Sequence, residues 1–279
     1  MVGIGKENAM PYELINGVSL HYEEAGSGEA IILLHGYTGS GRDWANQIPL
    51  LTPKYRVIAL DHRGHGMSSP PHEEEEYSIP LSSRDVFELL KLRGIDPCCL
   101  MGHSMGGYVA LQFAVDHPRM VKALVLVDTS AGQVERPFGY AEMRAKLDHL
   151  AREESLEAAF EYEAAHNPVR IERFRLHPEL REVARRKTME TSVDGYIYVA
   201  RSFGAWQPVT DRLGEIQAPT LIFQGEEDTP FVAACETLRK SIAGSKLVII
   251  PGAGHSPHEE APPIFNEKLA AFLARVYGE

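Results

Sequence analysis

The most constraining feature of the sequence is a serine held between glycines where an apolar strand gives way to a helix. Residues 98–101 are predicted to form a short buried strand, and Gly102-His103-Ser104-Met105-Gly106-Gly107 follows directly. The small neighbours of Ser104 permit a tight turn that larger residues would block. Such a turn holds the hydroxyl at the edge of a sheet, beside the positive end of a helix. The pattern predicts a nucleophilic serine, provided that a base lies nearby.

Strands and helices alternate along most of the chain. Continuous apolar runs at residues 30–34 and 123–127 are typical of strands that are covered on both faces. Residues 18–23 alternate between apolar and polar side chains, as a half-exposed strand does. Helical periodicity separates most of these runs, which favours a parallel sheet with right-handed crossovers. The sequence therefore predicts an α/β fold with a mostly parallel central sheet flanked by helices.

The pattern changes at about residue 132. From there to about residue 207 the sequence has helical periodicity but no buried strand. We therefore predict an α/β core formed by residues 1–131 and 208–279, with residues 132–207 inserted as a helical cap over the carboxyl edge of the sheet. Most large apolar side chains of the cap are expected to pack against the core, and some to line a substrate cavity. The candidates for substrate binding are Phe138, Tyr140, Phe203 and Trp206.

Two further chemical groups each follow a predicted strand. Asp228 lies just after the strand that ends at Gly225, and His255 lies just after residues 246–250. All strands of a parallel sheet point the same way, so these side chains are expected at the edge where Ser104 lies. The chain order Ser, Asp, His is that of one known triad arrangement. Ser104, Asp228 and His255 are therefore the candidate catalytic residues.

Asp128 is a rival for the acid, because it also ends a strand. Asp228 is favoured, since Gly225 and Pro230 place it on a short, constrained loop, whereas Asp128 is expected to cap the entry to the insertion. Ser256 and Glu259 have the spacing of a capping box, which would start a helix directly after His255.

A serine that transfers acyl groups also needs donors for the developing oxyanion. The backbone N–H of Met105, at the start of the helix, is one candidate. The other is the N–H of Tyr37, in the loop where Gly36 lets the chain approach closely. These two residues are the predicted oxyanion hole.

Composition limits the partners of the 279-residue chain. Its formal net charge of −11 disfavours a nucleic-acid surface and anionic membranes. Residues 1–17 lack an apolar signal core, and no apolar run approaches the length of a membrane span. No His or Cys spacing suits a metal, and the adjacent Cys98 and Cys99 would point to opposite faces of a strand. We expect a cytoplasmic protein without metal or cofactor, a monomer or homodimer, that acts on a small molecule.

Several motifs together give a family resemblance. They are His35-Gly36, Asp61-His62-Arg63-Gly64-His65-Gly66, Gly102-His103-Ser104-Met105-Gly106-Gly107, the turn at residues 225–228, and Gly254-His255. Through them the chain resembles the α/β-hydrolases over residues 18 to 277. The resemblance implies the α/β-hydrolase fold with a cap inserted after the sixth strand. It also implies a Ser104, Asp228 and His255 triad and oxyanion donors at Tyr37 and Met105.

The same resemblance narrows the chemistry to a serine enzyme, since the dehalogenase and epoxide hydrolase branches use Asp as nucleophile. The expected function is a carboxylesterase or lactonase, including enol-lactonases and acyl-homoserine lactonases. Residues 35–40 are also similar to the SHCHC synthases, lyases that have Tyr and Arg where this chain has His103 and Tyr108. The open alternatives are that lyase, a C–C bond hydrolase, and a non-hydrolytic ligand receptor.

Overall fold

One mixed sheet organises the chain, of which the computed structural model describes residues 12–132, 134 and 139–278. Its strands are β1 (Tyr12–Ile15), β2 (Val18–Ala25), β3 (Ala30–Leu34), β4 (Arg56–Leu60), β5 (Cys98–His103), β6 (Val121–Val127), β7 (Thr220–Gly225) and β8 (Lys246–Ile250). They are arranged in the order β1-β2-β4-β3-β5-β6-β7-β8. β1, β2 and β4 pair antiparallel, and the pairs from β4 through β3 to β8 are all parallel. The predicted α/β fold with a mostly parallel sheet is confirmed.

Helices cover both faces of the sheet or follow its strands. They are α1 (Ile48–Leu51), α2 (Ile79–Leu92), α3 (Met105–Asp116), α4 (Tyr140–Glu153), α5 (Leu156–His166), α6 (Pro168–Leu176), α7 (Glu179–Met189), α8 (Val193–Ala205), α9 (Val232–Ser241), α10 (Pro257–Glu260) and α11 (Pro262–Tyr277). Short 3₁₀ turns lie at Gly41–Trp44, Glu74–Glu76, Pro118–Met120, Thr210–Glu215 and Thr229–Phe231. Within the described ranges, none of the helices combines the length and the apolarity that crossing a membrane requires.

The central strands are apolar throughout because each is buried on both faces. In β3, Ile32 and Leu34 pack into one hydrophobic cluster, and Ile31 and Leu33 pack into the cluster on the opposite face. Side chains alternate between the faces of a strand, so a continuous apolar run is what such a position demands. Cys98 and Cys99 likewise fall in opposite clusters, and both are free thiols.

The helices α4 to α8 lie between β6 and β7, in the segment predicted as a cap, and are called here the inserted helices. They bury a small hydrophobic cluster of their own, which includes Leu147, Leu150, Ala159 and Ile197. The boundaries of a core and a cap domain stay a prediction. What matters for the site is that this segment begins after the carboxyl end of β6, at the edge of the sheet where Ser104 lies, before the chain returns to the start of the parallel strand β7.

Candidate active site

Ser104 occupies a strained turn between β5 and α3. Its φ of 49° and ψ of −113° lie outside the regions that most residues adopt. Its N–H donates to the carbonyl of Val127 at 2.9 Å, which extends the β5–β6 ladder by one residue. A Cβ on Gly106 would lie 2.1 Å from the carbonyl oxygen of Leu34, so α3 can start this close to β3 only with glycine there. The turn presents a half-buried serine at the strand ends.

The structure brings Ser104, His255 and Asp228 into one hydrogen-bonded chain. Ser104 Oγ lies 2.9 Å from His255 Nε2, and His255 Nδ1 lies 2.7 Å from Asp228 Oδ2. A carboxylate only accepts hydrogen bonds, so Nδ1 carries the proton and Nε2 is the acceptor for the serine hydroxyl. Asp228 is buried, whereas the His255 side chain is 40% exposed. This arrangement can remove a proton from Ser104.

The loops that carry the acid and the histidine are hydrogen-bonded to each other. The N–H of Glu227 donates to the carbonyl of Ala253 at 2.8 Å, and the N–H of Glu226 donates to the carbonyl of Ile250 at 3.0 Å. A Cβ on Gly225 would lie 1.9 Å from the carbonyl oxygen of Gly254, so only glycine permits this approach. Asp228 and His255 are therefore placed by main-chain contacts.

Asp128 has a different role from the one predicted. Both of its carboxyl oxygens accept the N–H of Gly225, at 3.0 and 3.1 Å, so it fixes the end of β7 rather than capping the insertion. Burial, and then the charge of Asp228, hold the pKa of Asp128 well above its usual range. Asp228, and not Asp128, is the carboxyl group that contacts His255.

His103 holds the histidine loop from the sheet side. Its Nε2 lies 2.7 Å from the carbonyl oxygen of His255, and since a carbonyl only accepts, Nε2–H is the donor. Burial holds the pKa of His103 well below its usual range, so the ring is neutral. Sequence reasoning missed this contact, because nothing in the pattern relates residues 103 and 255.

The predicted capping box after His255 is wrong. The side chain of Ser256 makes no cap, and the carboxylate of Glu259 instead binds Lys187 Nζ at 2.6 Å. Glu260 takes its place: its two oxygens accept the N–H groups of Gly254 at 2.7 Å and Ser256 at 3.2 Å. Glu259 instead pairs with Lys187 of α7, a residue distant in sequence. The spacing of a capping box, which is a local pattern, cannot show such a partner.

The predicted oxyanion donors, the backbone N–H groups of Tyr37 and Met105, belong to the two segments next to Ser104. Met105 is the first residue of α3, where an N–H has no partner within the helix. A Cβ on Gly36 would lie 3.4 Å from Ser104 Cβ, so the loop of Tyr37 runs directly beside the serine. The phenol of the partly buried Tyr37 donates to the carbonyl of Tyr196 in α8. Their role in catalysis stays a prediction.

The predicted substrate-binding side chains divide into three groups. Tyr140 and Phe203 line a cavity of about 810 Å³ between α4 and α8, which Tyr108 of α3 also lines but Ser104 does not. Trp206 lies outside that lining: it stacks on Tyr108 with ring centroids 5.0 Å apart, and its Nε1–H donates to Gln112 at 2.9 Å. Phe138 lies outside the described residues. The lining of this cavity therefore includes two of the four predicted residues but not the serine.

No metal site is evident in the part of the chain that the structure describes. Within residues 12–132, 134 and 139–278, no three His, Cys, Asp or Glu side chains are grouped so that they could hold an ion. The histidines near the serine are instead packed against one another, as in the pair of His103 and His258 with ring centroids 4.7 Å apart. Burial holds the pKa of His258 well below its usual range, so it is neutral there.

The fold and the serine turn define a class of protein. A sequence profile of the alpha/beta hydrolase fold matches residues 29–262. The chain belongs to the alpha/beta hydrolase family, and the resemblance drawn from its motifs is confirmed.

Individual relatives carry different activities in their names. A Bacillus subtilis (strain 168) protein provisionally named 2-succinyl-6-hydroxy-2,4-cyclohexadiene-1-carboxylate synthase is 31% identical over 259 residues, which are 91% of this chain and 93% of the relative. An esterase structure from Thermogutta terrifontis has a TM-score of 0.81 and 28% identity, covering 93% of this chain and 94% of its own. The enol-lactonase of Burkholderia xenovorans LB400 has a TM-score of 0.82 and 26% identity, covering 95% and 100%. The family is shared, whereas the reactions differ.

Proposed function

We propose that this chain is a serine hydrolase that cleaves a carboxylic ester or a lactone through an acyl-enzyme on Ser104. The observation that carries the proposal is the hydrogen-bonded chain from Ser104 Oγ through His255 to Asp228, with distances of 2.9 and 2.7 Å. The similarity to an esterase and to an enol-lactonase supports the same substrate class.

The first half-reaction transfers the acyl group to the serine. Ser104 Oγ attacks the carbonyl carbon while His255 Nε2 takes its proton. The carboxylate of Asp228 keeps the imidazole in the required tautomer and stabilises the imidazolium, without taking the proton itself. His255 then protonates the leaving alkoxide, and the alcohol departs. With a lactone, that alcohol stays attached to the acyl group.

The second half-reaction returns the serine. His255 removes a proton from water, the resulting hydroxide attacks the acyl carbon, and Ser104 leaves with the proton from His255. In both halves the N–H groups of Tyr37 and Met105 would donate to the oxyanion. The net reaction consumes one water and yields a carboxylic acid and an alcohol.

A second candidate is the synthase activity named for the Bacillus relative, which is 31% identical over most of the chain. The motif at residues 35–40 is also similar to that family. A lyase of this kind transfers no acyl group to water. It would therefore leave simple esters and lactones intact, which separates the two candidates.

The proposal is tested by replacing the nucleophile. Ser104→Ala removes the attacking oxygen, and we expect kcat for p-nitrophenyl butyrate and for an aliphatic lactone to fall about 10,000-fold or more. Steady-state release of nitrophenol and acid measures the loss.

The matched control is Ser245→Ala, which removes a hydroxyl just before β8 that donates to the carbonyl of Arg239 at 3.1 Å. This variant should retain wild-type rates, and both variants should show the circular dichroism of the folded protein. Wild-type rates in Ser104→Ala, or an inert wild type on every ester and lactone, would overturn the proposal.

A further inference from the structure

The carboxylate of Glu260 binds the backbone of the loop on both sides of the candidate base, His255. One carboxylate oxygen accepts the N–H of Gly254 at 2.7 Å and the other accepts the N–H of Ser256 at 3.2 Å. A carboxylate that receives two backbone N–H groups fixes the residue between them more firmly than either contact alone. The Glu260 carboxylate therefore adds to the main-chain contacts and to His103 in holding the His255 backbone.

An arginine from the inserted helices binds this carboxylate. Arg173 of α6 directs one guanidinium nitrogen to Glu260 and another to Glu227, the residue before Asp228. The guanidinium lies against Gly254, where an added Cβ would be 2.7 Å from Arg173 Cζ. A single side chain thus contacts the loop of the base and the loop of the acid.

Arg173 and Glu260 are both largely buried, so losing the ion pair between them should have a larger effect than losing an exposed pair. The side chains of Arg173 and Glu260 are 18% and 11% exposed. Removing one member of a partly desolvated charged pair leaves the other uncompensated, which costs more than losing a surface pair. By contrast, Arg175 on the same helix is 64% exposed and pairs with Glu172 of that helix. Arg175 is therefore a matched control for charge and helix position.

We propose that Arg173 is a positioning residue. Through it, the packing of α6 against the two loops controls the distance and orientation of His255 relative to Asp228. Arg173 does not touch the reacting atoms. It acts through Glu260 on the loop of His255 and through Glu227 on the loop of Asp228. The inference rests on the proposed function for its kinetic test, and a spectroscopic test keeps the two separable.

The kinetic test compares Arg173→Met with Arg175→Met on p-nitrophenyl butyrate. We expect Arg173→Met to lower kcat about 10- to 100-fold, because small displacements of catalytic groups have effects of this size. KM should change less than about threefold, since Arg173 contacts no substrate in the mechanism. Arg175→Met should stay within about twofold of the wild type. Arg173→Lys keeps the charge but not the two-pronged fork, and should recover part of kcat.

The spectroscopic test needs no turnover. In proton NMR spectra, the hydrogen between His255 Nδ1 and Asp228 should give a far-downfield resonance in the wild type and in Arg175→Met. We expect this resonance to shift upfield or broaden in Arg173→Met. If the wild type lacks ester turnover but the resonance responds to Arg173, the proposed function fails while the positioning role stands.

The inference is overturned if folded Arg173→Met keeps the wild-type kcat and the wild-type resonance. Should that variant fail to fold, Glu227→Gln decides, because Glu227 is 39% exposed and its loss should be tolerated. This variant should lower kcat about two- to fivefold and move the resonance in the same direction. An unchanged kcat and resonance in folded Glu227→Gln would equally overturn it.

Discussion

The sheet and the inserted helices hold the loop of His255 by different kinds of contact. From the sheet side, neutral His103 donates to the carbonyl of His255 at 2.7 Å, and the neighbouring loop is joined by main-chain hydrogen bonds. From the other side, Arg173 reaches the same loop through the carboxylate of Glu260. One attachment is buried and neutral, and the other is charged and partly exposed.

This difference distinguishes contacts that the site needs in order to form from contacts that only adjust its geometry. Main-chain contacts between strand ends persist as long as the sheet does, because they depend on backbone position and on glycines at close approaches. Ion pairs from the inserted helices depend on side-chain identity, pH and salt. We therefore expect core substitutions to abolish function or folding, and substitutions at the contacts with the inserted helices to have graded effects.

The largest expected effect within the core separates its two carboxyl groups. Asp228→Asn should lower kcat about 1,000- to 10,000-fold, because the amide favours the wrong tautomer of His255. Asp128→Asn should cost less than about tenfold, since the side-chain oxygen of Asn can also accept the N–H of Gly225 and Asp128 does not contact His255. Steady-state ester hydrolysis by the two folded variants measures both effects. A larger loss in Asp128→Asn would assign the acid to Asp128.

Substitutions at two glycines, one in the core and one in the inserted helices, should change the free energy of unfolding in opposite directions. Gly106→Ala should destabilise the protein by at least about 3 kcal/mol, because the new Cβ would lie 2.1 Å from the backbone oxygen of Leu34. Gly204→Ala, in α8, meets no atom within 4 Å and should stabilise by about 0.5–1 kcal/mol through reduced chain entropy. Urea unfolding measures both free energies. Similar destabilisation by the two would contradict the distinction between core and inserted helices.

The ion pair between the regions should respond to pH. Lys187 of α7 lies 3.1 Å from Asp43 Oδ1, and burial, opposed by Lys187, raises the pKa of Asp43 to about 7. The pKa of Asp43 is higher in the folded protein than in the unfolded chain, so the folded protein binds the proton more tightly. This adds to the free energy of unfolding at low pH, below the unfolded pKa. The contribution is lost as the pH rises through the folded pKa. From about pH 5 to about pH 8, the wild type should therefore lose about 2 kcal/mol relative to Asp43→Asn.

Urea unfolding of both proteins at the two pH values measures this difference. Lys187 keeps Glu259 as a partner in Asp43→Asn, so the variant is expected to fold. Parallel pH dependence in the two proteins would show that Asp43 ionises with its ordinary pKa, and that burial does not govern this contact.

The sequence allowed the fold to be predicted where its signals are local. Apolar runs and the glycines at strand ends lie within a few residues of each other, so the parallel sheet and the meeting of Ser104, Asp228 and His255 could be predicted. β1 was not predicted, because it is short and edge-exposed, with Leu14 pointing to solvent. Such a strand lacks the apolar run that marks its buried neighbours.

The contacts that refine the site could not be predicted, because their partners are distant in sequence. His103 and His255 are 152 residues apart, and Arg173 and Glu260 are 87 apart. Glu259 and Glu260 are adjacent and chemically equivalent, but Lys187 binds the first and Arg173 binds the second, and both partners are distant in sequence. Tyr140 and Phe203 line a cavity as predicted, but no local pattern shows that its lining leaves out Ser104.

The most direct test of the central claim is to trap the acyl-enzyme. Rapid quenching of the wild type with p-nitrophenyl acetate, followed by mass spectrometry of the intact chain and its peptides, should show one acetyl group, located on Ser104. Ser104→Ala should carry none under the same conditions. Ester turnover with no adduct on Ser104, or with the acetyl group on another residue, would contradict the account.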